Sequence, residues 1–417
     1  MKIKYSDILK ILIELMLIMK LGFVKLLGSW IPMFETQYDS YPECVLYLFL
    51  TVVCIIYTRI VLKERANAFL RIEMAIALLI AIAGIIHAQK WNKLDLLAAI
   101  SSAMPYFYCL LAYPIYVLLK KKYWSIKKIF NFILFWGTLA CVLKMINCAA
   151  WYFTGAVIWN NLISSSTWIL NGSLRINPPC LGILLIPISY YMYVETYRRR
   201  DKLKYLVPIG ISILYSAVVH QARSILLYQI ITIIAMVMFE HVSSLKKCIR
   251  YSVLIVATIV VINSSYFEKF LNSFSPTNKV SGQSTIARFN AIALFASKYI
   301  SHPFWGMGFL SDKEKNVGAI GTGLGHLDDI GFLGSFFTLG IPLLLLLLLI
   351  IGRTFYLSYK VKRWNSNYSL LLFGMVVLFL TTGINISCFN GIYAFAVPFF
   401  VAIVEYTRLI PCAVRKV

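Results

Sequence analysis

Long apolar runs separated by short charged ones make up almost the whole chain. A helix crossing about 30 Å of hydrocarbon takes roughly 20 apolar residues. On that measure the pattern predicts about twelve spans, near residues 8–27, 44–62, 68–87, 94–119, 129–152, 177–196, 204–220, 224–240, 249–265, 330–352, 368–386 and 391–409. They must be helices, because hydrocarbon leaves no other way to satisfy the backbone of one segment. The strongest contains Leu343–Leu349, an unbroken leucine run after Pro342. The first is the weakest. Lys10, Glu14, Lys20 and Lys25 interrupt it, and each costs about 2.5–3.5 kcal/mol at a bilayer centre. Lys10 and Glu14 are spaced to pair along the helix, and Lys25 can snorkel. This segment is a true span or an interfacial helix.

Composition agrees with the pattern. Of 417 residues, 60% are hydrophobic and only 14% charged, against about a half and a quarter in soluble domains; the mean hydropathy is +0.77. Soluble enzymes, disordered regulators and secreted disulfide scaffolds are excluded on that ground. The charges are lopsided, 40 Lys+Arg against 17 Asp+Glu, for a net +23. Such a balance often signals nucleic acid, but a chain with so little polar surface cannot stay dissolved to meet it. The cations mark orientation instead. With the N-terminus in the cytoplasm, the inward segments carry 26 Lys+Arg and the outward ones 10, although the outward set is about twice as long. That is the positive-inside rule, and it places both termini in the cytoplasm. Lys2 and Lys4 precede an apolar stretch with no small-residue cleavage site, so the first segment reads as retained. Nine scattered cysteines read as buried reduced thiols. With no alignable repeat and no appended soluble domain, residues 1–417 form one all-α membrane domain. It carries a large extracytoplasmic loop, 265–329, and a smaller one, 153–176.

The larger loop is where chemistry can sit, since long loops in compact proteins tend to be functional. Ser284 or Thr285 can cap a helix that Pro303 ends, with Ile286, Phe289, Ala293, Ala296 and Ile300 on one apolar stripe. A turn containing Gly306 and Gly308 follows, then a stretch with Gly318, Gly321, Gly323 and Gly325, then His326-Leu-Asp-Asp entering the next span. The outward side carries few cations, so its isolated arginines stand out. Arg175 precedes the sixth span, Arg223 sits in a tight hinge, and Arg288 lies on the loop helix. A guanidinium fork suits diphosphate or carboxylate; the plainer reading is an arginine reaching lipid phosphate. His326, Asp328 and Asp329 sit at the water–hydrocarbon boundary, where one of them can act as a general base toward a sugar hydroxyl. The plainer reading makes one aspartate the cap of the following helix. The five histidines lack ligand spacing, and no phosphate-cradling loop or nucleophile elbow is present. Any donor must therefore arrive already activated on the outer face, as lipid diphosphates do.

These features together resemble the O-antigen/capsular polysaccharide polymerases (Wzy-type) of the O-antigen polymerase/ligase group. The likeness lies in the span count, the late outward loop, and three stretches: STIARFNAIALFASKYISHPFWGMGF, GHLDDIGFLGSFFTLGI and HQARSILL. The resemblance implies a C-type (GT-C-like) membrane glycosyltransferase of the bacterial plasma membrane that needs no metal and no cofactor. Such an enzyme moves a glycan from an undecaprenyl diphosphate carrier onto a second lipid-linked repeat, in company with a flippase and a chain-length regulator. It further implies that Arg223 and Arg288, with Arg175 as a third, hold the donor diphosphate. His326 would activate the acceptor or meet the phosphate, with Asp329 and then Asp328 as alternative bases. Where the family's ligases often follow this histidine with Asn, Leu327-Asp328-Asp329 stands here, which points to a polymerase. Two other readings remain open: a ligase, and a lipid-linked oligosaccharide flippase or other transporter. The latter tends to show repeat symmetry and midplane polar groups, and Lys144 is the deep polar residue of the central spans.

Overall fold

The computed structural model of the chain describes residues 5–23, 41–159, 169–170, 173–241, 243–252, 282–317, 325–389 and 393–409, with a few isolated positions between. Lys25, Gly318, Gly321, Gly323 and most of the 249–265 segment lie outside the described residues. The other eleven expected spans coincide with helices. They are α1 (Tyr5–Lys20), α2 (Tyr41–Ile60), α3 (Ala68–Lys90), α4 (Leu96–Cys109) continuing into α5 (Ala112–Lys120), α6 (Ile126–Thr154), α7 (Gly182–Glu195), α8 (Arg199–Leu214), α9 (Arg223–Phe239), α12 (Gly331–Val361), α13 (Ser366–Gly383) and α14 (Val397–Thr407); α10 (Gly282–Tyr299) and α11 (Asp312–Lys315) belong to the late loop. Among the described residues seven helices are long and apolar enough to cross a membrane, and three more, Gly182–Glu195, Arg223–Phe239 and Ala394–Thr407, are apolar but shorter. The chain is a helical, polytopic membrane protein. Its β-structure among the described residues is two antiparallel two-residue pairs, β1 (Ile169–Leu170) with β2 (Ser173–Leu174), and β3 (Asn316–Val317) with β4 (Gly325–His326).

Local sequence explains the element ends. Asn67, Asp95, Ser125 and Asn365 cap α3, α4, α6 and α13 through side-chain oxygens. Gly155, at φ +69°, closes α6. α7 begins at Gly182, later than the apolar run suggests, since Pro178 and Pro179 hold the preceding backbone extended. α1 is 16 residues, about 24 Å at helical rise. It buries Leu9, Ile13, Met16 and Leu17 against α2 and α5, and Lys10 and Glu14 pair at 3.5 Å. Seven of the cysteines are buried, Cys248 is exposed, and Cys412 lies outside the described residues.

Tertiary contacts join several loops to others of the same charge set. At the basic end Lys120 and Lys121 bridge to Glu64, at 2.8 and 2.6 Å, and Asn367 donates to Glu195. At the other end Asn92 donates to the carbonyls of Met307 and Phe309, and Lys144 donates to that of Asn177. The 304–308 turn is built into a break in α12. Gly340 is non-helical (φ 63°, ψ −149°), and a Cβ there would lie 2.2 Å from the Phe304 carbonyl oxygen. The carbonyls of Phe337 and Thr338, which the break releases, accept from the N–H groups of Met307 and Gly308 at 2.9 and 2.8 Å. Irregular backbone at membrane depth is tolerated on just this condition, that its polar groups are re-paired inside protein.

Candidate functional site

Arg175 lies in the extended segment after β2, which buries Leu174 and Ile176 and turns Arg175 to the other side, half-buried. Three side chains from two elements clamp that segment. Lys144 of α6 donates to the Asn177 carbonyl at 2.9 Å, and the Tyr215 hydroxyl donates to the carbonyls of Ile176 and Asn177 at 3.0 and 2.9 Å. The buried His220 ring sets Nδ1 3.3 Å from the Ile176 carbonyl oxygen. In return the Arg175 Nε–H donates to the His220 carbonyl at 2.7 Å. Tyr215 and His220 begin and end a π-helical segment, Tyr215–His220, and Gln221 follows in the left-handed region at φ +52°. A π segment inserts a residue into the helix and frees carbonyls at its end, and the His220 carbonyl is the one Arg175 takes. α9 then starts on Arg223, held by Asn385 of the α13 end, whose Nδ2 donates to the Ser224 hydroxyl at 3.1 Å.

Arg288 comes from α10, where the structure corrects the expected apolar stripe. Phe289 and Ile300 are exposed, at 64% and 75%, whereas Ala291 and Phe295 are fully buried. The helix is turned so that Arg288, Ala291, Phe295 and Tyr299 share the inward face, against Leu310, Leu327, Ile330 and Phe337. That face carries Arg288 and Tyr299 and is less apolar than the expected one; the pocket it enters made the choice. Arg288 is thereby brought inward, and its Nε is buried without a hydrogen-bond partner among the described residues. The helix begins at Gly282, ahead of Ser284 and Thr285, which fall within its first turn instead of capping it.

The three arginines converge. Burial pushes the Arg175 guanidinium below the usual arginine range, the Asp329 carboxylate pulls it up, and Arg288 and Arg223 push it down again. Arg223 and Arg288 act on each other as well, and Tyr228 of α9 faces Arg288. Three guanidiniums thus share one neighbourhood with a single carboxylate among these four groups.

The candidate bases are separated by their partners. Neither aspartate caps α12, whose first turn follows Ile330 without a side-chain cap. The cap belongs to His326 and serves the short 3-10 turn Leu327–Ile330: its Nδ1 accepts from the Asp328 N–H at 3.1 Å. A neutral ring that accepts at Nδ1 carries its proton on Nε2, so its outward nitrogen is a donor. Asp328 Oδ2 lies 3.6 Å from the Lys315 ammonium and 3.8 Å from His326 Nδ1. Asp329 is exposed, and it is the aspartate that acts on Arg175. Among the described residues no three His, Cys, Asp or Glu side chains group as a metal site.

The clamp residues Lys144, Tyr215, His220 and Asn385 carry no sequence signal of a shared site; Lys144 reads in sequence as a deep or snorkelling cation. Tyr215→Phe removes the one proton that the two carbonyls share, leaving Lys144 on Asn177 and His220 beside Ile176. The expected cost is about 0.5–1.5 kcal/mol, read as a lowered thermal midpoint of the detergent-solubilised protein. Compared by sequence with models of known families and with characterised proteins, the chain matches none of them.

Proposed function

We propose that the chain polymerises undecaprenyl diphosphate-linked oligosaccharide repeats on the outer face of the bacterial plasma membrane. In this reading the protein has about twelve spans, both termini in the cytoplasm and a GT-C-like architecture. The observation that carries it is the convergence of Arg175, Arg223 and Arg288 beside Asp329, at the sparsely cationic end of a membrane bundle. Guanidinium forks gathered in a partly desolvated site suit a diphosphate. The end of the bundle it occupies is where a lipid-linked donor with its own activated bond would be presented.

The chemistry is a displacement. The bond between the donor sugar's anomeric carbon and the diphosphate oxygen breaks, and an acceptor hydroxyl oxygen bonds to that carbon. The guanidiniums take up the negative charge that gathers on the departing diphosphate. The hydroxyl proton passes to Asp329, the exposed carboxylate that acts on Arg175. His326 donates from Nε2, and Asp328 with Lys315 holds the turn. No metal or cofactor is invoked. The two lipid-linked oligosaccharides and the surrounding lipids are the partners, with a flippase upstream and a chain-length regulator alongside; nucleic acid is not one.

The test is the fate of lipid-linked repeats in a deletion strain. Single repeats facing outward, with no long chains, are the expected result. Repeats trapped facing inward would mean a flippase, and long chains left on their carrier would mean a ligase; either result defeats the proposal.

A further inference from the structure

At the end of the bundle opposite the arginine site, α3, α12 and α14 bury three charged side chains together. Glu405 is 0% exposed, Glu73 5% and Arg353 8%. Arg353 donates from Nε to Glu405 Oε1 at 2.7 Å and from a terminal nitrogen to Oε2 at 3.3 Å. Asn67 adds a third bond to Oε2 at 2.7 Å, and the Phe69 ring lies 3.9 Å from the Arg353 guanidinium carbon. Both oxygens of Glu405 and one face of Arg353 are therefore committed to each other.

Glu73 is the remainder. It feels Glu405 and Arg353 through space, yet its Oε2 is buried with no hydrogen-bond partner among the described residues. The titratable and charged groups that face it are Glu405 on α14, Arg353 on α12 and the Cys109 thiol on α4. One guanidinium thus serves two carboxylates, and it is already paired. An uncompensated ion in such a place costs several kcal/mol, whereas a proton removes the charge and needs no movement. Intramembrane carboxylates that face the bundle interior mark proton sites and relays for the same reason.

We propose that Glu73 is a proton-binding site, a neutral carboxylic acid that keeps its proton for as long as Arg353 is held by Glu405. The site ties proton occupancy to packing. A motion that parts α12 from α14 turns Arg353 toward Glu73, which then releases its proton to water at the basic end. α12 is the helix whose far end follows the Asp328–Asp329 turn, so the proton and the arginine site bear on one element. Nothing here depends on the reaction proposed above.

Infrared difference spectroscopy on the full-length protein in lipid nanodiscs near neutral pH tests this. A protonated carboxylic C=O stretch that shifts in D2O should be present and should vanish in Glu73→Gln. Arg353→Met should gain a second such band, as Glu405 loses its counter-ion. Should either variant fail to fold, dicyclohexylcarbodiimide on the wild-type protein decides, because it attacks protonated carboxyls in apolar surroundings. Adduct at Glu73 with Glu405 unmodified is expected. A wild type without the acid band, a band unaltered by Glu73→Gln, or adduct at Glu405 with Glu73 intact would each overturn the proposal.

Discussion

A deletion strain complemented with Arg288→Ala at wild-type expression should make no long polymer. Arg288 stands on the inward face of α10 with its Nε buried and, among the described residues, without a hydrogen-bond partner, in the neighbourhood of Arg175, Arg223 and Asp329. Like-charged groups held together in a partly desolvated site repel one another, and an anion bound among them relieves that repulsion. A diphosphate that accepts two charge-assisted bonds from one fork gains roughly 1.5–3 kcal/mol per bond. Loss of a donor aimed at charge that develops in the transition state costs about 10²–10³ in rate. Arg288→Lys should not restore the wild-type rate, since an ammonium presents a point charge and no planar fork. Arg223→Ala should behave alike. Arg175→Ala is the less clean probe, because Arg175 also ties β2 to the π segment through the His220 carbonyl. Full-length polymer from both Arg223→Ala and Arg288→Ala at equal protein level would sink the assignment.

Gly331→Ala should be the most damaging single methyl in the described chain. Gly331 joins the 3-10 turn bearing Asp328 and Asp329 to α12 at φ 56°, ψ −129°, a conformation open essentially to glycine. The strain alone is about 1–3 kcal/mol. In addition, a Cβ there would lie 2.1 Å from the Gly383 carbonyl oxygen and 2.7 Å from the Ile384 carbonyl carbon, both backbone. Backbone at the end of α13 has nowhere to go without shifting Asn385, which holds Ser224 beside Arg223. The expected loss is about 4 kcal/mol or more of stability, at the exceptional end for point mutants, seen as a collapse of folded yield. Gly352→Ala, in the same helix with open space around its Cβ, is the control. It should leave yield unchanged or slightly improved, because alanine is the better helix former. Equal yields from the two variants would show that the turn is not held as described.

How much of this the sequence discloses depends on which forces act locally. The spans are legible because burying apolar residues in hydrocarbon needs no partner, and the two ends are legible because cations are counted loop by loop. The residue types of the site are legible too. Arg175, Arg223, Arg288 and Asp329 stand out as rare charges on a sparsely charged side, and the structure brings them together.

The arrangement within the site is not legible, and the reasons are particular. Periodicity alone selects the wholly apolar face of α10, the one with Phe289 and Ile300. Contact with Leu327, Ile330 and Phe337 selects the other and carries Arg288 inward. Asp328 and Asp329 are the natural capping residues, yet His326 caps the turn, because the strained backbone at Gly331 separates the aspartates from α12. The π segment has no residue signature, and the carbonyl it presents to Arg175 exists only in three dimensions. Likewise Glu73, Arg353 and Glu405 read in sequence as separate charges near helix ends, and only packing leaves two carboxylates to one guanidinium. Sequence by itself determined that this chain lies in a membrane, roughly where it crosses, and which charges are rare enough to matter. Tertiary structure decided which face each helix buries and which charges share a partner, because those choices turn on fit between distant segments.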